Sequence, residues 1–232
     1  MEKPRLAIDI DETLVWLLPD FLEFYNERHV TSYSIEDFKS YRWWETLEIT
    51  KEEAYKEASE FIKGEAEHYA TNPDSIRYLK LIPCAEQAIE LLYHFYELYC
   101  ITNRDPLLDP YNHAISTALY ADEDYAYFPA LKFDDNLDGL LIPIDRFYSA
   151  VEQGKAKSAL CEELGIGAII DDDADVAIDC AEHGIRAIVL ARPWNINLPE
   201  HELIYRVNNW QEACSKLVAP SIATRINVYE VY

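Results

Sequence analysis

Near its start the chain carries Asp9 and Asp11, two positions apart, with Thr13 two further on, where the apolar run Leu6-Ala7-Ile8 gives way to Asp11-Glu12-Thr13. Thr102, Asn103 and Arg104 follow a second apolar run, Leu98-Tyr99-Cys100-Ile101, and Asp171 and Asp172 follow a third, Ala168-Ile169-Ile170; Lys155 and Lys157 lie a little before that third run. Carboxylates in such groups can attack an electrophile, pass protons or hold a hard cation. Hydroxyl, amide and cationic side chains can hold an anion.

Residues scattered over the whole chain act together only if a fold gathers them. Leu6 to Ile10 is short, apolar and rich in β-branched side chains, and it breaks into polar residues as a buried strand does at its C-terminal end. After Pro83 a helical pattern over Ala85 to Tyr93 precedes the strand at Leu98 to Ile101. Lys155 to Leu164 reads as a helix stopped by Gly165, Ala168 to Ile170 as a strand, Asp173 to His183 as a helix stopped by Gly184, and Arg186 to Leu190 as a strand. This is the rhythm of a doubly wound parallel α/β sheet, in which the C-terminal strand ends share one crevice. Residues 15–82 break the rhythm: Phe21, Phe24 and Tyr25 stand at helical spacing, and the charged stretch from Lys51 to Glu67 reads as a helix with an exposed face. We therefore expect a catalytic core from residues 1–14 and 83–232 and a helical insertion over 15–82. Tyr120 to Asp145 is expected to carry strands near the sheet edge.

The 232 residues suffice for one full core with a small satellite, and 50% hydrophobic content speaks for a folded chain. A formal net charge of -23 argues against nucleic acid polymers and anionic membranes as partners, and leaves a small molecule met by local positive charge or a metal. No apolar run approaches the roughly 18 residues of a membrane helix. Five dispersed cysteines, never spaced as Cys-x-x-Cys, read as reduced thiols of a cytoplasmic protein.

The string Asp9-Ile10-Asp11-Glu12-Thr13 resembles the first motif, Asp-x-Asp-x-Thr, of the haloacid dehalogenase-like phosphatase superfamily. Thr102 matches its second motif, Lys157 or Lys155 its third, and the pair Asp171-Asp172 its fourth, all in order. The resemblance implies a Rossmann-like core with a small helical cap inserted after the first strand. It also implies that Asp9 attacks phosphorus to give an aspartyl-phosphate and that Asp11 serves as acid and then base. Magnesium would be held by Asp9, the carbonyl of Asp11 and Asp172, with Asp171 a further candidate, while Thr102 and the lysine neutralise the transferring group. Cys161-Glu162-Glu163-Leu164-Gly165-Ile166, Cys180-Ala181-Glu182-His183-Gly184, Arg192-Pro193-Trp194-Asn195, Arg206-Val207 and Trp210 are similar to the 5'(3')-deoxyribonucleotidase branch.

Each feature also has a plainer reading. An Asp-Thr cluster after a strand can be turn and N-cap chemistry, Thr102 a loop hydrogen bonder, and either lysine a solvated helix-end residue. Asp171, Asp173, Asp175, Ile178, Asp179 and Glu182 fall on positions 1, 3, 5, 8, 9 and 12 of an EF-hand loop, but Val176 stands where that loop needs Gly. Val176 also occupies the place, four after Asp172, where many relatives carry Asn or Asp, so Asp173 or Asp175 is expected to supply that contact. Trp194 and Trp210 fit core or sheet-edge packing as well as a site, and Trp210 fits packing better. The expected substrate is a nucleoside or deoxynucleoside 5'-monophosphate, bound through Thr102, Asn103 and Arg104 with Trp16 and Trp43 of the insertion facing the base. The alternatives are a phosphatase of a non-nucleotide metabolite and a non-catalytic metal-binding or interaction domain.

Overall fold

The computed structural model describes residues 2–71, 80–103, 142 and 146–219. In chain order come β1 (Arg5–Ile8), β2 (Val15–Trp16), α1 (Leu18–His29), α2 (Trp43–Thr46), α3 (Lys51–Thr71), β3 (Lys80–Leu81), α4 (Ala85–Tyr93), β4 (Glu97–Thr102), β5 (Phe147–Ser149), α5 (Ala150–Gln153), α6 (Lys157–Glu163), β6 (Ile166–Asp171), α7 (Ala174–Glu182), β7 (Arg186–Leu190), β8 (Ile204–Val207) and α8 (Trp210–Leu217). Six of the strands form one sheet in the order β5-β4-β1-β6-β7-β8, every pairing parallel. The chain builds outward from β1 in one direction and later in the other, which opens a crevice beside β1.

Strand residues alternate between two hydrophobic layers. Leu6, Ile8, Leu98, Cys100, Ile170, Ile188 and Leu190 face one; Ala7, Tyr99, Ile101, Ile169, Ala187 and Val189 face the other. That two-residue period is what a sheet buried on both faces requires. Helices α4 and α8 supply Ala88, Ile89, Leu92, Trp210 and Ala213 to the first layer, and α6 and α7 supply Leu160, Cys161, Ala177 and Cys180 to the second. Both helix stops expected from glycine are present: Gly165 and Gly184 follow the ends of α6 and α7 with φ of 64° and 75°, a conformation that only glycine adopts without a Cβ penalty.

The segment after β1 begins and ends in a two-stranded antiparallel ribbon, Val15 opposite Leu81 and Trp16 opposite Lys80. Within it α1 and α3 pack Leu18, Phe21, Leu22, Tyr25 and Phe61 into a separate cluster with Phe38 and Leu47. Sequence periodicity did not reveal the ribbon, because two-residue strands leave too short a pattern. The helix expected over the charged stretch runs from Lys51 to Thr71. The edge strands expected over Tyr120 to Asp145 lie outside the described residues, apart from buried Ile142. Among the described residues no helix is long and apolar enough to cross a membrane.

Candidate active site

Three adjacent strands, β4, β1 and β6, end side by side, and each delivers polar groups to the same edge. Asp9 follows β1 directly, and its backbone N–H donates to Ile170 O at 2.9 Å, so it sits beside the end of β6. Asp171 closes β6 and Asp172 follows it; all three carboxylates are buried. One oxygen from each of Asp9, Asp171 and Asp172 lies within 4.8 Å of the others. Like charges so placed repel, and burial adds a desolvation cost. Burial, with Asp171 and Asp11 nearby, pushes the Asp9 carboxyl up to about 7 despite the opposing pull of Lys157. Burial and then Asp171 and Asp9 raise Asp172 as well.

Lys157, the first residue of α6, supplies the compensating charge. Its Nζ donates to Asp9 Oδ1 at 2.7 Å and to Asp171 Oδ2 at 2.8 Å, and the side chain is buried with them. Burial opposes the ammonium charge, yet Asp171 and Asp9 outweigh it and hold the lysine protonated. Gly154, at φ 62°, ends α5 and lets the chain turn before α6 starts. Lys155 does not reach the cluster: it stands two residues before the helix, where its Nζ pairs with exposed Glu163 at 2.7 Å. The choice between the two lysines therefore falls to Lys157.

Asp171 has both oxygens engaged, Oδ2 by Lys157 and Oδ1 by the backbone N–H of Asp173 at 2.9 Å. Asp172 is held differently. Trp194 Nε1 donates to its Oδ2 at 2.8 Å, Thr13 Oγ1 to its Oδ1 at 3.4 Å, and Asn195 Nδ2 to its backbone O at 2.8 Å. Asn195 is itself fixed, donating to Leu190 O and accepting from Arg192 N and Arg206 Nε. Support for Asp172 thus comes from the turn after β7 and from Thr13, and not from Asp173 or Asp175, the residues expected to provide it. Asp173 is the N-cap of α7, accepting from Asp175 N at 2.9 Å, and Val176 packs against the second core layer. The acidic run is a strand end, a cap and a helix turn, so it lacks the helix-loop-helix an EF-hand needs.

The remaining expected residues are spread unevenly. Thr102 ends β4, buried, in register with Ser149 of β5. Asn103 is exposed and lines an open cleft of about 600 Å3 shared with Lys51, Tyr55 and Lys56 of α3. Arg104 lies outside the described residues. Asp11, half-buried, lines a cavity of about 90 Å3 together with Trp43 and Trp194. Trp16 does not reach that cavity's lining: it sits in the ribbon under the Arg192 guanidinium, 4.5 Å from its ring centre, and packs on the sheet core. Trp210 is fully buried, its Nε1 donating to Thr13 O at 3.0 Å, so it braces the loop after β1 from below.

Sequence reasoning left one contributor open and missed another. Trp194 was readable as packing or as a site residue, and nothing in its spacing reveals a hydrogen bond to a residue 22 positions earlier. Tyr41, from the inserted segment, has its hydroxyl pushed well above its ordinary value by burial and by the nearby Asp172 and Asp9 carboxylates, which brings the insertion to the edge of the cluster.

The carboxylate trio with one embedded ammonium fits a hard divalent cation by its donor chemistry: oxygen ligands only, raised in proton affinity by their own crowding, in a site short of positive charge.

No family model matches the sequence, and no curated protein matches it. Solved structures do. A conserved haloacid dehalogenase-like protein of unknown function from Agrobacterium tumefaciens superposes with a TM-score of 0.61 at 12% identity, over 94% of this chain and 99% of that one. A putative HAD-hydrolase from Bacillus subtilis bound to magnesium gives 0.51 at 16% identity, over 94% and 99%. An HAD family hydrolase from Deinococcus radiodurans with bound phosphate and sodium gives 0.54 at 10% identity, over 95% and 97%. At these identities the likeness is one of fold: a haloacid dehalogenase-like α/β core with helices inserted after the first strand.

Proposed function

We propose that this chain is a magnesium-dependent phosphohydrolase of small phosphate monoesters that works through an aspartyl-phosphate on Asp9. The observation that carries the reading is Lys157 placed between Asp9 and Asp171 beside Asp172, at the shared edge of three strands. Asp9, the backbone carbonyl of Asp11 and Asp172 would hold the cation, which supplies positive charge against the carboxylates and the phosphate dianion. Asp171, with both oxygens engaged, orients Lys157. The magnesium of the Bacillus subtilis protein and the phosphate of the Deinococcus radiodurans protein are consistent with this reading.

In the first step an Asp9 carboxylate oxygen attacks phosphorus, the bond to the ester oxygen breaks, and Asp11 protonates the departing alkoxide. In the second, water attacks the aspartyl-phosphate, Asp11 takes the water's proton, and inorganic phosphate leaves with Asp9 restored. Lys157, two of whose three donors are engaged by carboxylates, and Thr102 stabilise the transferring oxygens. The presence of Asp11 favours an ester over a halide as substrate, since a halide departs without a proton and gives that residue nothing to do.

Nucleoside 5'-monophosphates, ribo or deoxy, are the ester class this reading favours, because aromatic residues including Trp43 and Trp194 line the cavity that Asp11 borders. We assign residues 15–82 as the cap over the site. Release of phosphate from an aryl phosphate and from nucleoside, sugar and amino-acid phosphates, with and without magnesium, tests the reaction; the absence of release from every one of them at any magnesium concentration overturns it. Specificity constants for deoxynucleotides, ribonucleotides, sugar phosphates and phosphoserine then test the class. A tenfold lead for a sugar phosphate or phosphoserine would remove the nucleotide assignment and leave the aspartate-based hydrolase.

A further inference from the structure

Glu12 stands in a left-handed backbone conformation, φ 55°. Glycine adopts it freely, whereas a side chain there is strained. The side chain is nonetheless buried, 6% exposed. One oxygen is spent on structure: Oε1 accepts the backbone N–H groups of Leu17 at 2.8 Å and Leu18 at 2.6 Å, at the start of α1. The other, Oε2, is buried and has no hydrogen-bond partner among the described residues. An acceptor left in this state is destabilising, and more so when charged. Backbone strain and an unsatisfied buried oxygen at one residue point to a use for the side chain.

Glu12 also lines the cavity of about 90 Å3 bordered by Asp11, Phe21, Ser40, Trp43 and Trp194. A single water needs about 10 to 15 Å3 on this measure, so the space admits a group of several non-hydrogen atoms. We propose that this cavity seats part of the leaving alcohol and that Glu12 Oε2 accepts a hydrogen bond from a hydroxyl or amino group on it. The protein then selects phosphate esters whose alcohol carries a donor a few atoms from the ester oxygen, a polyol or nucleoside and not a plain alkyl or aryl alcohol. The aromatic walls take the apolar face of the same group. The proposal rests on the hydrolase reading only for which end of the substrate lies beside Asp11.

Binding of free alcohols, without phosphate, separates the two readings. Titration calorimetry on the full chain would compare a nucleoside with its 2'-deoxy and 3'-deoxy counterparts, and sorbitol with its deoxy analogues. One pair differing by a single donor should differ at least about tenfold in Kd. Glu12→Gln keeps a carbonyl to cap α1 but turns an N–H toward the cavity, and should reduce that ratio below about threefold while thermal unfolding shows the fold retained. Glu12→Asp, which keeps the charge but withdraws it, should do the same. Equal affinities within every pair, no measurable binding of any alcohol, or discrimination unchanged in both variants overturns the proposal. Discrimination in a protein that hydrolyses no ester would leave this subsite standing and remove the hydrolase; hydrolysis without discrimination does the reverse.

Discussion

Trp194 donates from Nε1 to Asp172 Oδ2 at 2.8 Å while its ring packs against the hydrophobic cluster of the inserted segment. One side chain thus positions a proposed metal ligand and touches the proposed cap. Trp194→Phe keeps most of the packing and removes the donor. Partners that orient a metal ligand typically contribute 10- to 100-fold in affinity or activity. The magnesium concentration for half-maximal phosphate release should rise by about tenfold or more, with a change in Tm of no more than a few degrees. A magnesium titration of both proteins checks it.

Asp9→Asn should abolish hydrolysis, since the amide has nearly the same shape and almost no nucleophilicity. Its Tm should hold or rise, because one of three crowded buried carboxylates becomes neutral. Turnover measured on magnesium-loaded protein, beside a melting curve, reads both.

Lys157→Met leaves Asp9 and Asp171 buried without their shared cation, a change expected to cost about 3 to 5 kcal/mol in urea unfolding. Lys155→Met removes only an exposed pair with Glu163, and both stability and turnover should stay close to the parent. Equal losses in the two variants would contradict the choice of Lys157.

Asp172→Ala should weaken magnesium activation far more than Asp179→Ala. Asp179 lies on α7, where it accepts from Ser158, away from the trio. Calcium should inhibit, because its longer bonds and larger ligand number loosen the in-line geometry. Full activity in chelator would discard the metal site altogether.

Burial pushes the Glu12 carboxyl up to about 7, against the pull of the Leu18 and Leu17 N–H groups and of Arg192. The folded chain therefore holds a proton that the unfolded chain releases near 4.5, and stability drains away as pH rises between these values. Above pH 7 the full cost of the buried charge is present, on the order of 3 kcal/mol at 1.36 kcal/mol per unit. Glu12→Gln should raise Tm at pH 8 and have little effect near pH 4. Melting curves across that range test the sign, and a stabilised variant with poorer discrimination among alcohols would place Glu12 among residues kept for function at a cost in stability.

Much of the candidate site was legible because three of its groups sit at the end of a short apolar run: Asp9 after Leu6-Ala7-Ile8, Thr102 after Leu98 to Ile101, Asp171 after Ala168 to Ile170. Local pattern places strand ends, and parallel topology brings strand ends together. Lys155 and Lys157 could not be separated that way, since the helix expected from the sequence begins at Lys155, and only the start of α6 at Lys157 decides which lysine reaches the carboxylates. Spacing misled at the acidic run, where a strand end, an N-cap and a helix turn happen to reproduce the intervals of a calcium loop. The segment holding Trp194 and Asn195 stood out in the sequence, but its contacts to Asp172 were out of reach: they cross from the loop after β7 to the loop after β6, a relation that no periodicity encodes.

The ribbon of Val15 and Trp16 against Leu81 and Lys80 means that the chain departs from the sheet and comes back at a single stem. Among the described residues between the two strands of the ribbon there is no strand of the six-stranded sheet, so the order β5-β4-β1-β6-β7-β8 is set by strands outside that segment. Closing the stem with a two-residue Asn-Gly turn would make it an ordinary hairpin and leave the wiring of the core unchanged. The inserted helices are in that sense a cassette: if they form the proposed cap, lengthening, trading or deleting them would alter what can sit over the strand ends without redrawing the scaffold that holds Asp9, Lys157 and Asp172. Arg192, stacked on Trp16, is the clasp that keeps the stem against the sheet.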